Sequence, residues 1–147
     1  MQSILEKLKN GIVTQCAEET ESIGIELAKH LKNDTTLALH GNLGVGKTTF
    51  VKGLAKGLGI ERTVTSPTFN LYTIYEGRLQ LVHLDAYRLN PETELDSLML
   101  DDFLMSPFCL VIEWPQNVDP SLVKGALHLE LSILKDNKGH TIQIIID

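Results

Sequence analysis

The stretch Gly41-Asn42-Leu43-Gly44-Val45-Gly46-Lys47-Thr48 decides the fold. It fits the pattern G-x-x-x-x-G-K-[ST] without a mismatch. Its glycines admit positive φ and let backbone N–H groups turn inward around phosphate oxygens. A helix starting near Lys47 adds the positive end of its dipole. Lys47 can then reach β- and γ-phosphates, and the Thr48 hydroxyl can take a place on Mg²⁺. With Gly at about 7% of residues, a chance match arises in roughly 0.5% of chains this long. Asn42, Leu43, Gly44, Val45, Gly46, Lys47, Thr48 and Thr49 are therefore the candidate nucleotide-binding residues.

The flanks suit such a loop. Residues 36–40 (TLALH) read as a buried strand leading into it. After it, Phe50, Val51, Leu54, Ala55 and Leu58 mark one face of a helix that Gly57 and Gly59 bracket. Upstream, Ile12 and Val13 suggest a short first strand. A helix follows with Glu18, Glu19 and Glu21 in its first turns, an apolar stripe of Ile23, Leu27 and Leu31, and an end at Asn33-Asp34. Downstream, residues 69–75 and 79–84 alternate around Glu76-Gly77-Arg78, the pattern of a β-hairpin. Asn90-Pro91 opens a predicted helix with Leu95, Leu98 and Met99 turned inward. Residues 109–112 form a compact apolar strand, and residues 127–134 and 141–146 form a second hairpin. No repeat or linker divides the chain. The expected class is α/β: a single P-loop NTPase-like domain over residues 1–147, a mixed β-sheet flanked by helices, with hairpins at 69–84 and 127–146.

A phosphate loop needs a carboxylate at a nearby strand end to complete the metal shell. Leu81-Val82-His83-Leu84-Asp85 and Leu110-Val111-Ile112-Glu113 both run apolar and then acidic, and the residues alone do not rank them. Lys47, Asp85 and Glu113 are the candidate catalytic residues, and Thr48, Asp85 and Glu113 the candidate metal ligands. Guanine-specific loops use N-K-x-D, whose aspartate accepts from the base. Here Asn137-Lys138-Gly139-His140 puts histidine in that place, and Asp85-Ala86-Tyr87-Arg88 lacks the glycine of a GTPase D-x-x-G. ATP is favoured by elimination.

Composition excludes other classes. Thirteen Lys and Arg against nineteen Asp and Glu give a net charge of −6 over 147 residues. A free-standing nucleic-acid binder carries a basic face instead, so any nucleic-acid role runs through a partner. Cys16 and Cys109 show neither C-x-x-C nor secreted-type spacing and read as reduced thiols. No apolar run reaches the ~18 residues of a membrane span, and no signal peptide is evident, so the chain is expected to be cytoplasmic and off the membrane. The five histidines show no metal-ligand spacing; His83 stands out because it shares a strand face with Asp85. Trp114, the one tryptophan, reads first as a core residue and second as a ligand stack.

Taken together, these residues resemble the bacterial TsaE family, also called YjeE, the small ATPase of tRNA threonylcarbamoyladenosine biosynthesis. The similarity runs from about Thr20 to Trp114. Beyond the phosphate loop it rests on Thr20-x-x-x-Gly24, Ser66-Pro67-Thr68-Phe69, His83-Leu84-Asp85-Ala86-Tyr87-Arg88-Leu89 and Ile112-Glu113-Trp114-Pro115. The resemblance implies ATP hydrolysis with Mg²⁺ and association with TsaD and TsaB, which modify the adenosine beside the anticodon. It implies that Thr48 and Glu113 meet the metal, that Asp85 supports the site, and that Ser66-Pro67-Thr68 is a switch-like segment near the γ-phosphate. Asn42 departs from the acid usual in the family, Ala86 from a larger aliphatic, and Met99 from a glycine. His140 falls where Gly-Arg often closes the last hairpin, so no nucleotide contact is carried over to that hairpin.

Two other classes compete. A P-loop small-molecule kinase clamps two phosphorylated ligands with several lid arginines; only Arg62, Arg78 and Arg88 occur here, with no lid-like insertion. A nucleotide-dependent adaptor that binds without turnover is the other, and the two strand-end acids argue against it.

Overall fold

The computed structural model describes residues 3–42, 44–65, 72–89, 104–135 and 138–146. Helix α1 (Ile4–Asn10) leads into strand β1 (Ile12–Thr14) and helix α2 (Ala17–Ala28). Strand β2 (Thr35–His40) feeds the phosphate loop, and helix α3 (Lys47–Gly57) leaves it. Strands β3 (Tyr72–Tyr75), β4 (Gln80–Asp85) and β5 (Phe108–Glu113) follow, then short 3₁₀ turns at Pro115–Asn117 and Pro120–Val123, and finally β6 (Leu127–Ile133) and β7 (His140–Ile146).

Among the described residues seven strands form one sheet in the order β1-β7-β6-β2-β5-β4-β3. Its centre is parallel: β2 pairs with both β5 and β6, and β4 pairs with β5. Its margins are antiparallel, from the β3–β4 and β6–β7 hairpins and the β1–β7 pair. This is the expected mixed sheet, with the apolar runs at the centre, where both faces are covered. Leu37 and Leu39 of β2 pack with Leu27 of α2 and Phe50, Val51 and Leu54 of α3. Leu110 and Ile112 of β5 pack on the opposite face with Val82, Leu84 and Val118. The loop therefore leaves the sheet at the carboxyl ends of its parallel strands, where open α/β sheets bind ligands.

Three local readings change. Helix α1 was not expected; its signal is the Ser3-x-x-Glu6 capping box, in which Glu6 N donates to Ser3 Oγ at 3.2 Å. Helix α2 ends at Ala28 and not at Asn33-Asp34; Asp34 instead sits at φ 61. There its carboxylate accepts from Phe108 N at 3.2 Å and Ser106 Oγ at 2.9 Å, tying the start of β2 to the start of β5. The buried stripe of α2 is Thr20, Gly24, Leu27 and Ala28, whereas Ile23 and Leu31 are only partly buried. Apolarity alone hides this, because the face is chosen by how closely α3 approaches. A Cβ on Gly24 would stand 2.5 Å from the carbonyl oxygen of Phe50, and one on Gly53 would overlap that of Glu21. An ion pair between Lys56 and Glu21 closes the same seam.

The helix expected at Asn90-Pro91, the segment Ser66-Pro67-Thr68-Phe69, the first residues of the 69–84 hairpin and Leu43 lie outside the described residues. Both cysteines are free thiols; burial pushes that of Cys109 up to about 12, whereas Cys16 is exposed. Among the described residues no helix is long and apolar enough to cross a membrane.

Candidate nucleotide site

The loop turns into α3 at Gly46, whose φ of 100 lies in the left-handed region that glycine enters without strain. That turn aims the free N–H groups of the first turn of α3 out of the carboxyl edge of the sheet. Lys47, Thr48 and Thr49 form that turn. Beside them, β4 and β5 end in register, Asp85 against Glu113. Gly44, Gly46, Lys47, Thr48, Thr49, Asp85 and Glu113 thus line one cleft of about 310 Å³, together with Trp114.

Lys47 is 4% exposed. Its Nζ donates to the carbonyl oxygen of Gly41 at 2.6 Å, lies 4.0 Å from Glu113 Oε1, and stands 4.0 Å from the centroid of the Trp114 ring. Burial lowers its pKa from 10.5, against the pull of Glu113 and then of Asp85. The lysine is thus docked on the protein's own oxygens, where phosphate oxygens can replace them. Glu113, also 4% exposed, takes a hydrogen bond through Oε2 from Nε2 of His83 at 2.5 Å. Asp85 is half-buried and accepts from Tyr87 N at 3.0 Å, which closes a tight turn after β4.

Trp114 sits at φ 59, rare for a bulky residue. This turns its ring over Lys47 and beside Tyr87, with ring centroids 5.0 Å apart. The core reading holds in part, since Trp114 also packs against the cluster of Val82, Leu84, Leu110 and Ile112. Its place over Lys47 depends on the left-handed backbone at Trp114, which leaves no trace in hydrophobic periodicity. Asn42 and Val45 line a second cleft of about 530 Å³ on the far side of Trp114, with Gln116, Glu130 and Leu131. His83, expected beside Asp85, bonds across the strand pair to Glu113. The remaining imidazole contact near the loop is His40 Nε2 to His128 Nδ1 at 2.8 Å. Burial, then His128 and Lys47, lower the pKa of His40 against the opposing pull of Glu130.

Among the described residues no three His, Cys, Asp or Glu side chains cluster as a metal cage. Mg²⁺ does not need one. It is held through one or two carboxylates, a hydroxyl, water and the substrate's phosphates. Thr48, Asp85 and Glu113, hard oxygen donors on one cleft wall, fit that requirement.

Comparison with known proteins agrees with this architecture. The family described as "Threonylcarbamoyl adenosine biosynthesis protein TsaE" matches residues 14–142. A TsaE of Treponema pallidum (strain Nichols), described as a tRNA threonylcarbamoyladenosine biosynthesis protein, is 37% identical over 124 residues, covering 84% of this chain and 92% of its own. The Aquifex aeolicus (strain VF5) protein of the same description is 35% identical over 137 residues, covering 91% and 94%. The crystal structure of Bacillus subtilis YdiB superposes with a TM-score of 0.65 at 33% identity, over 90% of this chain and 81% of that one. A P-loop α/β fold, the paired strand-end acids and a family match across nearly the whole chain lead to one conclusion: this chain belongs to the TsaE family.

Proposed function

We propose that this chain binds ATP with Mg²⁺ and hydrolyses it in the cytoplasm, as the ATPase subunit of the machinery that adds threonylcarbamoyl to the adenosine beside the anticodon of tRNA. It works there with TsaD and TsaB. The observation that carries this reading is the convergence of Lys47, Thr48, Asp85 and Glu113 on one cleft at the carboxyl ends of parallel strands. On arrival of ATP, Lys47 exchanges the Gly41 carbonyl for phosphate oxygens, and the loop amides hold the remainder of the triphosphate. Thr48 with Glu113, supported by Asp85, would hold the metal, which neutralises charge on the transferring phosphoryl group. Burial of Lys47 and Glu113 keeps that charge arrangement in low dielectric, where it acts most strongly. Trp114 covers the lysine side of the cleft and restricts water there.

Glu113 acts on turnover more than on binding, because Lys47 and the loop amides still hold the phosphates without it. Glu113→Ala is therefore expected to lower kcat about 100-fold with ATP affinity little changed. Titration calorimetry and phosphate release, with and without TsaD and TsaB, measure both. Asp85→Ala is the comparison. Wild-type turnover in Glu113→Ala beside a dead Asp85→Ala would transfer the leading role to Asp85.

Binding of tRNA follows the charge. At −6 the chain has few cations to displace counterions from a phosphate backbone. The isolated protein is expected to give no gel shift with tRNA at sub-micromolar concentration and physiological salt. A tight, partner-independent complex there would overturn the indirect route to tRNA.

A further inference from the structure

We propose that His83 is a positioning residue for hydrolysis, holding one oxygen of Glu113 so that the other faces the phosphate cleft. The proposal rests on the ATPase reading of that cleft. His83 lies on β4 at 0% exposure, among the apolar residues Leu81, Val82 and Leu84. Its Nδ1 meets no partner among the described residues. An apolar side chain would fill this position without an orphaned nitrogen, so packing alone does not account for an imidazole there.

The other nitrogen supplies the account. A carboxylate oxygen only accepts, so Nε2 carries the hydrogen and donates it to Glu113 Oε2 at 2.5 Å. Glu113 Oε1 then faces Lys47 Nζ at 4.0 Å, beyond the roughly 2.7–2.9 Å of a closed charge-assisted bond. One oxygen is committed and the other is left open toward the cleft. Glutamate has three rotatable bonds, and beside a buried ammonium its free carboxylate would turn onto the lysine. His83 stops that turn from the neighbouring strand, where β4 and β5 run in parallel register. Rigid support of a reacting group by a buried partner is how functional geometry is kept within a fraction of an ångström.

Four variants of the chain test this: His83→Leu, His83→Gln, Glu113→Ala and the double variant His83→Leu with Glu113→Ala. His83→Leu removes the donor while keeping the site apolar, and His83→Gln returns an N–H at a similar reach. His83→Leu is expected to lower kcat at least about tenfold with the calorimetric affinity for ATP within about twofold of wild type. His83→Gln should recover most of that loss. Urea unfolding without nucleotide gives a second readout: His83→Leu and Glu113→Ala should be non-additive, the double variant losing less than the two singles together. Wild-type kcat in His83→Leu, or additive unfolding effects, would overturn the proposal. So would an equal loss of affinity and kcat that His83→Gln does not repair. A wild-type chain that never hydrolyses ATP, even with its partners, would count against the ATPase reading, and the unfolding cycle would still decide whether His83 holds Glu113.

Discussion

Lys47→Ala is expected to lose ATP hydrolysis by about 100- to 1,000-fold, the cost of deleting one preorganised charge aimed at the transition state. Affinity should fall as well, by about 10- to 100-fold, as for removal of one hydrogen bond to a charged group. Lys47→Arg should not rescue it. The Nζ position is closed by the Gly41 carbonyl at 2.6 Å and the Trp114 ring at 4.0 Å, and a planar guanidinium needs more room. Thr48→Ala gives the matching loss on the metal side, visible as ATP binding that no longer responds to Mg²⁺. Stability should move differently from activity. Burial lowers the lysine's pKa from 10.5, so over the window between the two values the unfolded chain binds more protons than the folded one. Stability therefore rises with pH through that window, and is reduced below it, where both states are charged. Lys47→Met, which keeps the stem and drops the charge, should lose this rise. Urea unfolding of both chains from neutral to alkaline pH measures it; parallel pH profiles would contradict the direction of the shift.

Gly53→Ala is the substitution expected to harm the fold most for the smallest change in chemistry. A methyl there overlaps the carbonyl oxygen of Glu21, which is backbone and cannot rotate away. Helix α3 must then lift off α2, with an overpacking cost of about 3 kcal/mol. In a chain of this size that lowers Tm by about 6–12 °C. The displacement is transmitted to Lys47 and Thr48, since the same helix begins with them. ATP affinity should accordingly fall even at temperatures where the variant is folded. Lys52→Ala, an exposed position on the same helix, is the control and should change neither. A wild-type Tm in Gly53→Ala would mean that the two helices do not approach as closely as described.

What was legible in the sequence was what periodicity and one dense motif encode. The glycines and lysine of residues 41–48 announced a strand, a loop and a helix in order, and β2 and α3 stand there. The apolar runs ending in Asp85 and Glu113 gave β4 and β5, because parallel central strands are apolar on both faces. Pairing is what the linear order could not show. His83 reads as a neighbour of Asp85 along its strand, yet its hydrogen bond goes to Glu113 on the next one. Gly24 stands in the sequence only as part of a motif and Gly53 carries no signal there; the contact between their two helices explains both. Trp114 needed its backbone angle, which no count of apolar residues supplies. Thr20, a residue of the family motif, is buried near the start of α2, and its hydroxyl shares a 2.7 Å hydrogen bond with Thr14.

The central position of β2 bears on when the site comes into being during synthesis. One of its edges waits for β5, with Ala38 opposite Ile112; the other waits for β6, with Leu37 opposite Leu127, roughly 90 residues further along the chain. A ribosome that has released the phosphate loop has released neither neighbour of the strand that carries it. Until β5 emerges, β2 has two open edges and Lys47 has no Glu113 across from it. The loop is thus made early and framed late: Glu113 reaches Lys47 only once β5 has emerged, and β2 is closed on both edges only once β6 has.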